Sequence, residues 1–268
     1  MKQNDSSLAR IMAMCLRHLY LYKNSKVRLI EIAYWPTLEM IVWGFVTLYL
    51  TNSDGTNIGA FGAFIAGALL WNVTIRSQLG YNFLFLEEMW SRNLGHLFVS
   101  PLRPHEWVLS LFTMSFARTV VGVFPAMIMA IYFYDFSVFS LGIAFVVFFF
   151  SLMLTGWWIG IFMQAMILRL GLGAEALAWT VAFTLSPVSA VFYPVSILPE
   201  WLQPVALSIP PTYCFEGMRA ILQNQSIDWH AMGISFALNA FYMILAGLSF
   251  MWAFNDARRR GALLSGGE

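Results

Sequence analysis

Charged residues are scarce in this sequence: they make up 11% of its 268 residues, whereas an ordinary soluble domain carries about 25%. Hydrophobic residues make up 59%, and the few charges lie mainly at the ends of long apolar runs. A soluble protein of this length could not cover its surface with so little polarity. Because the apolar runs are long and continuous, they favour a bundle of membrane-spanning helices over a β-barrel.

Motifs for catalysis and for nucleotide or metal binding are also missing. The sequence has no Gly-x-x-x-x-Gly-Lys-Ser/Thr run to bind phosphates, no Gly-x-Ser-x-Gly elbow, and no pair of acidic residues within one apolar run. No basic cluster interleaved with aromatic residues suggests a nucleic-acid partner. We therefore expect neither a catalytic site nor a bound cofactor or metal in this chain. The four histidines, which lack metal-ligand spacing, are His18, His96, His105 and His230.

Cysteine is rare, and the two present, Cys15 and Cys214, are predicted to lie on opposite sides of the membrane, where they cannot pair. Residues 1–28 are polar and basic without an apolar core, so no cleavable signal peptide is predicted. No repeat or low-complexity linker divides the chain. The sequence therefore predicts a single membrane domain over residues 1–268.

The apolar runs set the number of membrane spans. With ~20 apolar residues needed for each crossing, the sequence predicts about six spans. They cover residues 30–50, 58–79, 107–133, 139–168, 174–192 and 232–254.

Lysine and arginine lie almost entirely on one side of these predicted spans. Of the 15 basic residues, 13 precede span 1, lie at or between spans 2 and 3, or follow spans 4 and 6. Of the other two, Arg219 lies on the opposite side and Arg118 inside span 3. Because basic loops remain in the cytoplasm, we expect both termini and the loop at 80–105 to be cytoplasmic, in a multi-pass protein of the bacterial inner membrane.

The N-terminal segment, residues 1–28, is too polar to span a membrane but is predicted to form an amphipathic helix. Its apolar residues recur at helical spacing, with Arg10, Arg17 and Lys23 elsewhere around the helix. Two compatible interpretations remain: a helix lying on the cytoplasmic leaflet, and a helix packed on the protein's own cytoplasmic end. The apolar positions are Leu8, Ile11, Met12, Cys15, Leu16, Leu19 and Tyr22.

A second amphipathic segment, residues 83–101, lies between spans 2 and 3. It is predicted to form a short surface helix whose charged groups face the cytoplasm, a shape suited to docking into a soluble partner. An ordinary interfacial connector is the alternative. The apolar stripe consists of Phe83, Leu86, Trp90, Leu94, Leu97 and Phe98. The polar residues off that stripe are Glu87, Glu88, Arg92 and Asn93.

Proline interrupts the moderately apolar stretch at 193–228, which rules out one continuous helix there. The stretch is too long for a turn and too apolar for a free loop. We expect a re-entrant helical hairpin that dips into the outer leaflet, where irregular backbone must be buried in protein or line a cavity. The interrupting prolines are Pro194, Pro199, Pro204, Pro210 and Pro211.

Two ionisable residues lie inside predicted spans, Glu39 in span 1 and Arg118 in span 3. Counted from the cytoplasmic side at ~1.5 Å per residue, their depths are roughly 14 and 18 Å. A charge at such depth usually faces the bundle interior and has a partner. The sequence predicts a Glu39–Arg118 pair, either a structural clamp or a substrate contact.

Two segments resemble a known family. The helix followed by Ser-Pro-Leu-Arg-Pro, at 100–104, resembles the coupling-helix segment of ABC-2 type permeases, the membrane subunits of ATP-binding-cassette exporters. Residues 186–219 resemble the family's most recognisable stretch, with aromatic-Pro, Leu-Pro-x-Trp-Leu-Gln, Pro-x-x-Tyr and Glu-Gly-x-Arg in order. The resemblance extends over nearly the whole chain. It implies an all-α membrane protein with six transmembrane helices, an interfacial N-terminal helix, a cytoplasmic coupling helix and the outer hairpin.

The resemblance also implies partners. In that family the permease forms a dimer within membrane lipid, and each copy binds a separate ATPase subunit that holds ATP and Mg. Closure of the ATPases would act on spans 1, 2 and 5 around a central pathway. Residues carried over as ATPase contacts are Glu87, Glu88, Arg92, Asn93 and Leu97. Residues carried over as the outer gate are Phe192, Tyr193, Pro194, Leu198, Pro199 and Trp201.

Export of a lipid-like, glycan or drug-like amphiphile is what the resemblance implies, and the composition does not choose among these substrates. An ion-driven secondary transporter is the main alternative, but it would normally show internal repeats or more buried acidic groups. A membrane-embedded enzyme is disfavoured by the missing catalytic residues.

Overall fold

Long helices account for most of the chain. The structure is a computed structural model that describes residues 6–23, 25–54, 58–91, 93–223 and 225–261. Within these ranges the chain forms α-helices joined by turns and short 3-10 segments, and it contains no β-strand. The helices are α1 (Ser7–Lys23), α2 (Lys26–Asp54), α3 (Ile58–Trp90), α4 (Leu94–Val99), α5 (Pro104–Tyr134), α6 (Ile143–Leu170), α7 (Glu175–Val188), α8 (Gln203–Leu207), α9 (Pro210–Leu222) and α10 (Trp229–Arg259).

Four helices in the described part of the chain are long and apolar enough to cross a membrane: α2, α5, α6 and α10. They contain predicted spans 1, 3 and 6 and most of predicted span 4. Predicted span 2 lies in α3, whose 33 residues extend about 50 Å, beyond a hydrocarbon core of ~30 Å. Predicted span 5 includes α7, whose 14 residues extend only about 21 Å. The total of six spans therefore stays a prediction.

Two helix ends differ by four residues from the approximate span ends that the sequence predicts, and local backbone geometry explains both differences. Helix α7 ends at Val188 rather than at 192, because Ala190 adopts a left-handed φ of 52° that a helix cannot continue through. Helix α6 begins at Ile143 rather than at 139, because a 3-10 turn and Gly142, with φ of 59°, precede it.

Helices α3 and α6 form the close-packed centre of the bundle. Gly156 and Gly160 of α6 face α3, and a Cβ at Gly156 would lie 1.8 Å from Ser77 Oγ and 2.6 Å from the Thr74 carbonyl oxygen. A Cβ at Gly160 would lie 2.7 Å from the Tyr81 ring. Only glycine permits this approach. The Gly-x-x-x-Gly spacing is a recognised signature of close helix pairing in membranes, and it could have been read from the sequence.

On the other side of α6, buried polar groups join it to α10. Asn239 donates through Nδ2 to the Ser151 carbonyl at 3.1 Å, and its Oδ1 accepts from Thr155 Oγ1 at 3.0 Å. The same oxygen accepts from Trp158 Nε1 at 3.1 Å. Between apolar helices these bonds specify which faces meet, although each is worth only about 0.6 kcal/mol in a membrane.

The apolar core divides into two main clusters, which define the two ends of the bundle. One cluster joins α1, α4 and the adjoining ends of α3, α5, α6 and α10, and we call this the α4 end. The other joins α9 to the opposite halves of α3, α5 and α6, and we call this the α9 end. Residues Leu86, Trp107 and Leu168 mark the first cluster, and Phe148 and Phe215 the second.

The stretch at 193–228 is broken into short helices, as its prolines predict. Pro204 lies in the first turn of α8, and Pro210 and Pro211 begin α9, where a missing N–H costs nothing. The segment thus contains two separate helices of 5 and 13 residues. Its dip into the outer leaflet stays a prediction.

Candidate functional site

Helix α1 packs against the α4 end through one narrow face. Met14, His18 and Tyr22, spaced four residues apart, are buried there. The face turned away from the protein remains apolar and exposed, with Leu8, Met12, Leu16 and Leu19 between 45% and 69% exposed. Both interpretations of the N-terminal segment are therefore compatible with α1: it packs on its own bundle and still offers an apolar face to lipid.

Three ion pairs fasten α1 and the start of α2 to the connection between α3 and α5. We call them the N-terminal ion pairs. Arg17 Nη2 lies 2.9 Å from Glu88 Oε2, and Arg28 Nη1 lies 2.8 Å from Glu87 Oε1. The third pair joins Arg10 to Glu106, with Nη2 2.6 Å from Oε1. The N-terminal segment is therefore bound both to the end of α3 and to the start of α5, on either side of α4.

Glu106 is the most strongly held of these carboxylates. It accepts two hydrogen bonds from Arg10, one from Ser7 Oγ at 2.6 Å, and one from the backbone N–H of Arg103 at 3.0 Å. These bonds, that of Arg10 foremost, hold the pKa of the Glu106 carboxyl far below its usual value. The bond to Arg103 also caps the first turn of α5, so one side chain both starts that helix and ties α1 to it.

Glu88 lies at the centre of the contact between α1 and α3. Its Oε2 accepts from Arg17 and, at 2.7 Å, from Asn93 Nδ2. His18 is buried beside it, with Nε2 4.0 Å from Glu88 Oε1. Burial, followed by the charges of Arg17 and Arg118, lowers the pKa of His18 to about 4. These effects outweigh the nearby carboxylate, because Arg17 and Asn93 already compensate its charge, and His18 is neutral at pH 7.

The prediction that Glu87 and Glu88 face the cytoplasm is wrong. The Glu87 side chain is 16% exposed and that of Glu88 is 1% exposed, because α1 and the start of α2 cover that face of α3. Leu97, also predicted as a contact, is 9% exposed and belongs to the apolar core. As direct partner contacts these three residues stay a prediction, with little surface available to support it. Arg92 lies outside the described residues.

The segment 83–101 is not one separate helix. Residues up to Trp90 are the end of α3, and a break that contains Asn93 precedes the six-residue α4. The backbone N–H groups of Ser91 and Asn93 still bond to the last carbonyls of α3, so α4 is mounted directly on a long helix. The exposed residues here include Trp90, His96, Val99, Ser100, Pro101 and Arg103, with Val99 87% exposed. They form a surface that we call the α4 rim.

The predicted Glu39–Arg118 pair is wrong. Glu39 Oε1 lies 3.4 Å from Arg76 Nη2 on α3, and Arg118 instead hydrogen-bonds the Tyr22 hydroxyl of α1. The Arg118 guanidinium also lies over the Tyr22 and Phe83 rings, at 4.9 and 5.8 Å from their centroids. The depth of a residue along its span does not determine which way its side chain points around the helix axis.

At the α9 end, the predicted gate residues do not form a single cluster. Phe192 stacks on Trp43 of α2, with ring centroids 4.4 Å apart. Tyr193 donates its hydroxyl to the Pro187 carbonyl at 2.7 Å. Leu198 is buried in a small core beside Ala190 and Ala206, whereas Trp201 is 74% exposed. The carbonyls of the two prolines, Pro194 and Pro199, accept backbone hydrogen bonds that close the following turns.

Glu216 and Arg219 of α9 hold the turn that follows α7, and they were not predicted as site residues. Arg219 Nη1 donates to the carbonyls of Ala190 and Val191, at 3.0 and 3.3 Å. Glu216 accepts from the Val195 N–H at 2.7 Å and pairs with Arg219 at 3.1 Å. The Glu-Gly-x-Arg pattern, an acid and a base three residues apart on one helix face, was the available signal.

A cleft of about 860 Å³ opens beside this turn. Aromatic, proline and charged side chains share its walls, including Phe64, Phe192, Tyr193, Glu216 and Arg219. Its volume falls within the range of pockets that hold small ligands. In the part of the chain that the structure describes, no group of three or more His, Cys, Asp or Glu side chains could hold a metal ion.

Comparison with known families gives one match. The family described as ABC-2 type transporter matches residues 11–222, which include most of α1, the α4 rim and the whole α9 helix. No curated protein matches the chain.

Proposed function

Because the chain belongs to the ABC-2 type transporter family, and is thus a permease subunit of an ABC transporter, we propose that it forms the membrane pathway of an exporter. Membrane subunits of this family work with ABC ATPase partners. The proposal adds the direction of transport and the surface through which the ATPase acts. The observation that most supports this assignment of the surface is the position of α4, which connects the ends of the long helices α3 and α5.

The α4 rim is the surface that we assign to the ATPase. It combines exposed apolar and aromatic groups, Val99 and Trp90, with the basic side chain of Arg103. Aromatic, aliphatic and arginine side chains of this kind supply most of the binding energy in protein interfaces. A force applied there would reach α3 directly, through the last turn of that helix, and α5 through the Pro104 start.

In this proposal the buried carboxylates position the α4 rim and do not contact the partner. Glu88 binds Asn93 at the break before α4, and Glu106 binds Arg103 at the other side of it. Both are anchored to α1 by arginines. The N-terminal ion pairs would therefore make α1, α4 and the two long helices move together when the ATPases close.

The arrangement in the membrane follows from the same assignment. The α4 end would be cytoplasmic with both chain termini, in agreement with the distribution of lysine and arginine. We propose six crossings in the bacterial inner membrane, a dimer of two copies, and an amphiphilic cargo of the lipid, glycan or drug-like class. ATP and Mg would bind in the ATPase subunits.

Co-purification with the ATPase tests the proposed surface. Val99→Asp places a charge in the middle of the α4 rim, and Val205→Asp is the matched control on α8, where Val205 is also exposed. We expect V99D to reduce the recovered ATPase by about tenfold, the effect of losing ~1.4 kcal/mol at an interface, and V205D to leave it unchanged. Equal recovery with both variants, each folded, would contradict the assignment.

A further inference from the structure

Two arginines line a partly open cavity within the bundle. A cavity of about 200 Å³ lies between α2, α3, α5 and α7. Arg76 of α3 and Arg118 of α5 form its basic wall, and Glu31 of α2 is the acidic residue on its lining. Trp35 and Trp179, both partly exposed, flank it. The cavity belongs neither to the α4 rim nor to the cleft at the α9 end.

The arginines are not fully compensated by protein groups. Among the described residues, no carboxylate lies within ion-pair distance of Arg118, which hydrogen-bonds the Tyr22 hydroxyl and lies over two aromatic rings. Arg76 has one long contact with Glu39, at 3.4 Å, and its buried Nε has no hydrogen-bond partner in the described part of the chain. Arginine buried in a membrane protein is costly, and it usually marks a ligand or ion site.

Size and position limit what the ligand can be. Drug-sized ligands occupy pockets of about 300–1,000 Å³, so 200 Å³ suits a headgroup and not a whole amphiphile. Arg118 bonds to Tyr22 at the end of α1, the helix that we expect at the membrane surface, so we infer that the cavity lies nearer the lipid headgroups than the depth counted along the sequence for Arg118 predicts. Guanidinium groups recognise phosphate oxygens through two parallel N–H donors.

We propose that this cavity binds the phosphate group of an amphiphile, with Arg76 and Arg118 as its ligands and the apolar chain extending between Trp35 and Trp179 toward lipid. Glu31 opposes anion binding and, together with Glu39 beside Arg76, partly offsets the charge of the two arginines. This assignment rests on the proposed function only for the transport of the bound amphiphile, because binding itself requires no ATPase.

Binding of defined probes to the full chain in neutral detergent tests this site. The probes are dioctanoyl phosphatidic acid, dioctanoylglycerol, which lacks the phosphate, and inorganic phosphate, each measured by calorimetric titration. We expect phosphatidic acid to bind and dioctanoylglycerol and inorganic phosphate to bind at least tenfold more weakly. Dioctanoylglycerol binding as tightly as phosphatidic acid would overturn the phosphate site. Inorganic phosphate binding equally well would overturn the assignment to an amphiphile.

Variants separate this site from general attraction to anionic lipid. Arg118→Gln and Arg76→Gln should each weaken phosphatidic acid binding by about tenfold or more, as expected for a lost charged hydrogen bond. Glu31→Gln should tighten it severalfold, a gain that misfolding cannot produce. Arg169→Gln is the control, because Arg169 is a half-exposed arginine that lies over Trp252, outside the cavity. Weakening by R169Q equal to that by R118Q, or no change with E31Q, would contradict the proposal.

Discussion

At the α4 end, arginines reach across to carboxylates far away in the sequence, whereas at the α9 end, apart from the Glu216–Arg219 pair, hydroxyls bond to backbone carbonyls nearby. Arg28 and Glu87 are 59 residues apart, and Tyr193 and Pro187 are 6 apart. Thr212 likewise bonds to the Ala206 carbonyl. The first kind of contact holds separate elements together and responds to charge and pH. The second kind shapes a single stretch of chain and does not.

The largest effect is expected at the contact between α3 and α6, because both helices contribute to the apolar core at each end of the bundle. Gly156→Ala forces a methyl group into Ser77 and the Thr74 carbonyl, so we expect a loss of about 3 kcal/mol of unfolding free energy, the cost of severe overpacking. Gly247→Ala on α10 is the matched control, since a Cβ there meets nothing within 4 Å. Helix propensity alone should make that change neutral or stabilising by up to ~1 kcal/mol.

Reversible unfolding in mild detergent, or thermal loss of monodisperse protein, measures both glycine variants. G156A should lower the free energy of unfolding, whereas G247A should leave it unchanged or raise it. If both variants were equally stable, the close approach of α6 to α3 would not support the two ends.

The next effect should be confined to the α4 end. Glu88→Ala leaves Arg17 and Asn93 without their shared acceptor, and we expect about 2 kcal/mol of lost stability, less than the 3–5 for a fully buried pair because Arg17 is partly exposed. Hydrogen exchange should rise in α1 while α9 stays protected. Asp256→Ala, which breaks more exposed pairs with Arg169 and Arg260, serves as the control and should cost about 0–1 kcal/mol. If E88A increased hydrogen exchange in α9 as well as in α1, the effect of the Glu88 contacts would not be confined to the α4 end.

The sequence was sufficient for the elements but not for their mutual orientation. Apolar runs located the four long membrane-type helices, and the prolines of 193–228 predicted its broken backbone. The burial of Glu88 could not be read from its own helix, because the covering residues belong to α1. Glu39 and Arg118 were matched by depth alone, and Arg76 proved to be nearer to Glu39. The Gly-x-x-x-Gly pair of α6 is visible in the sequence, but the sequence does not show that α3 is the helix it packs against.

A smaller effect should follow from pH, again at the α4 end alone. The pKa of His18 is lowered to about 4 in the folded chain, against ~6.5 in an unfolded one. The stability contributed by neutral His18 is therefore fully present above pH 6.5. It decreases as pH falls from 6.5 toward 4, because the unfolded state binds the proton first. At pH 5.5 the loss should be about 1 kcal/mol. Glu106 adds little at pH 5.5, because its carboxyl is ionised there in the folded chain and mostly ionised in the unfolded one, whose pKa is ~4.3.

Hydrogen exchange of α1 at pH 7.5 and 5.5, with rates corrected for intrinsic pH dependence, measures this effect. His18→Leu should remove the difference, while His96→Leu, a change at an exposed histidine of α4, should retain it. Persistence of the full pH effect in H18L would assign it to another group.

The smallest effect is expected at the α9 end. Tyr193→Phe removes one hydroxyl that donates to the Pro187 carbonyl, and we expect a loss of about 0.5–1 kcal/mol without pH dependence between 5.5 and 7.5. Tyr132→Phe, at a tyrosine that is 82% exposed, is the control and should change stability by less than about 0.5 kcal/mol. A marked pH dependence in Y193F would mean that this end, too, relies on titrating groups.

Site-specific photo-crosslinking tests most directly the claim that the α4 end engages the ATPase. A photoreactive amino acid replaces Val99 on the α4 rim or, in a second variant, Val205 on α8, in the full chain expressed together with its ATPase. The account predicts a crosslinked permease–ATPase product from position 99 and none from position 205. A product from position 205 with none from position 99, in a complex that assembles normally, would contradict it.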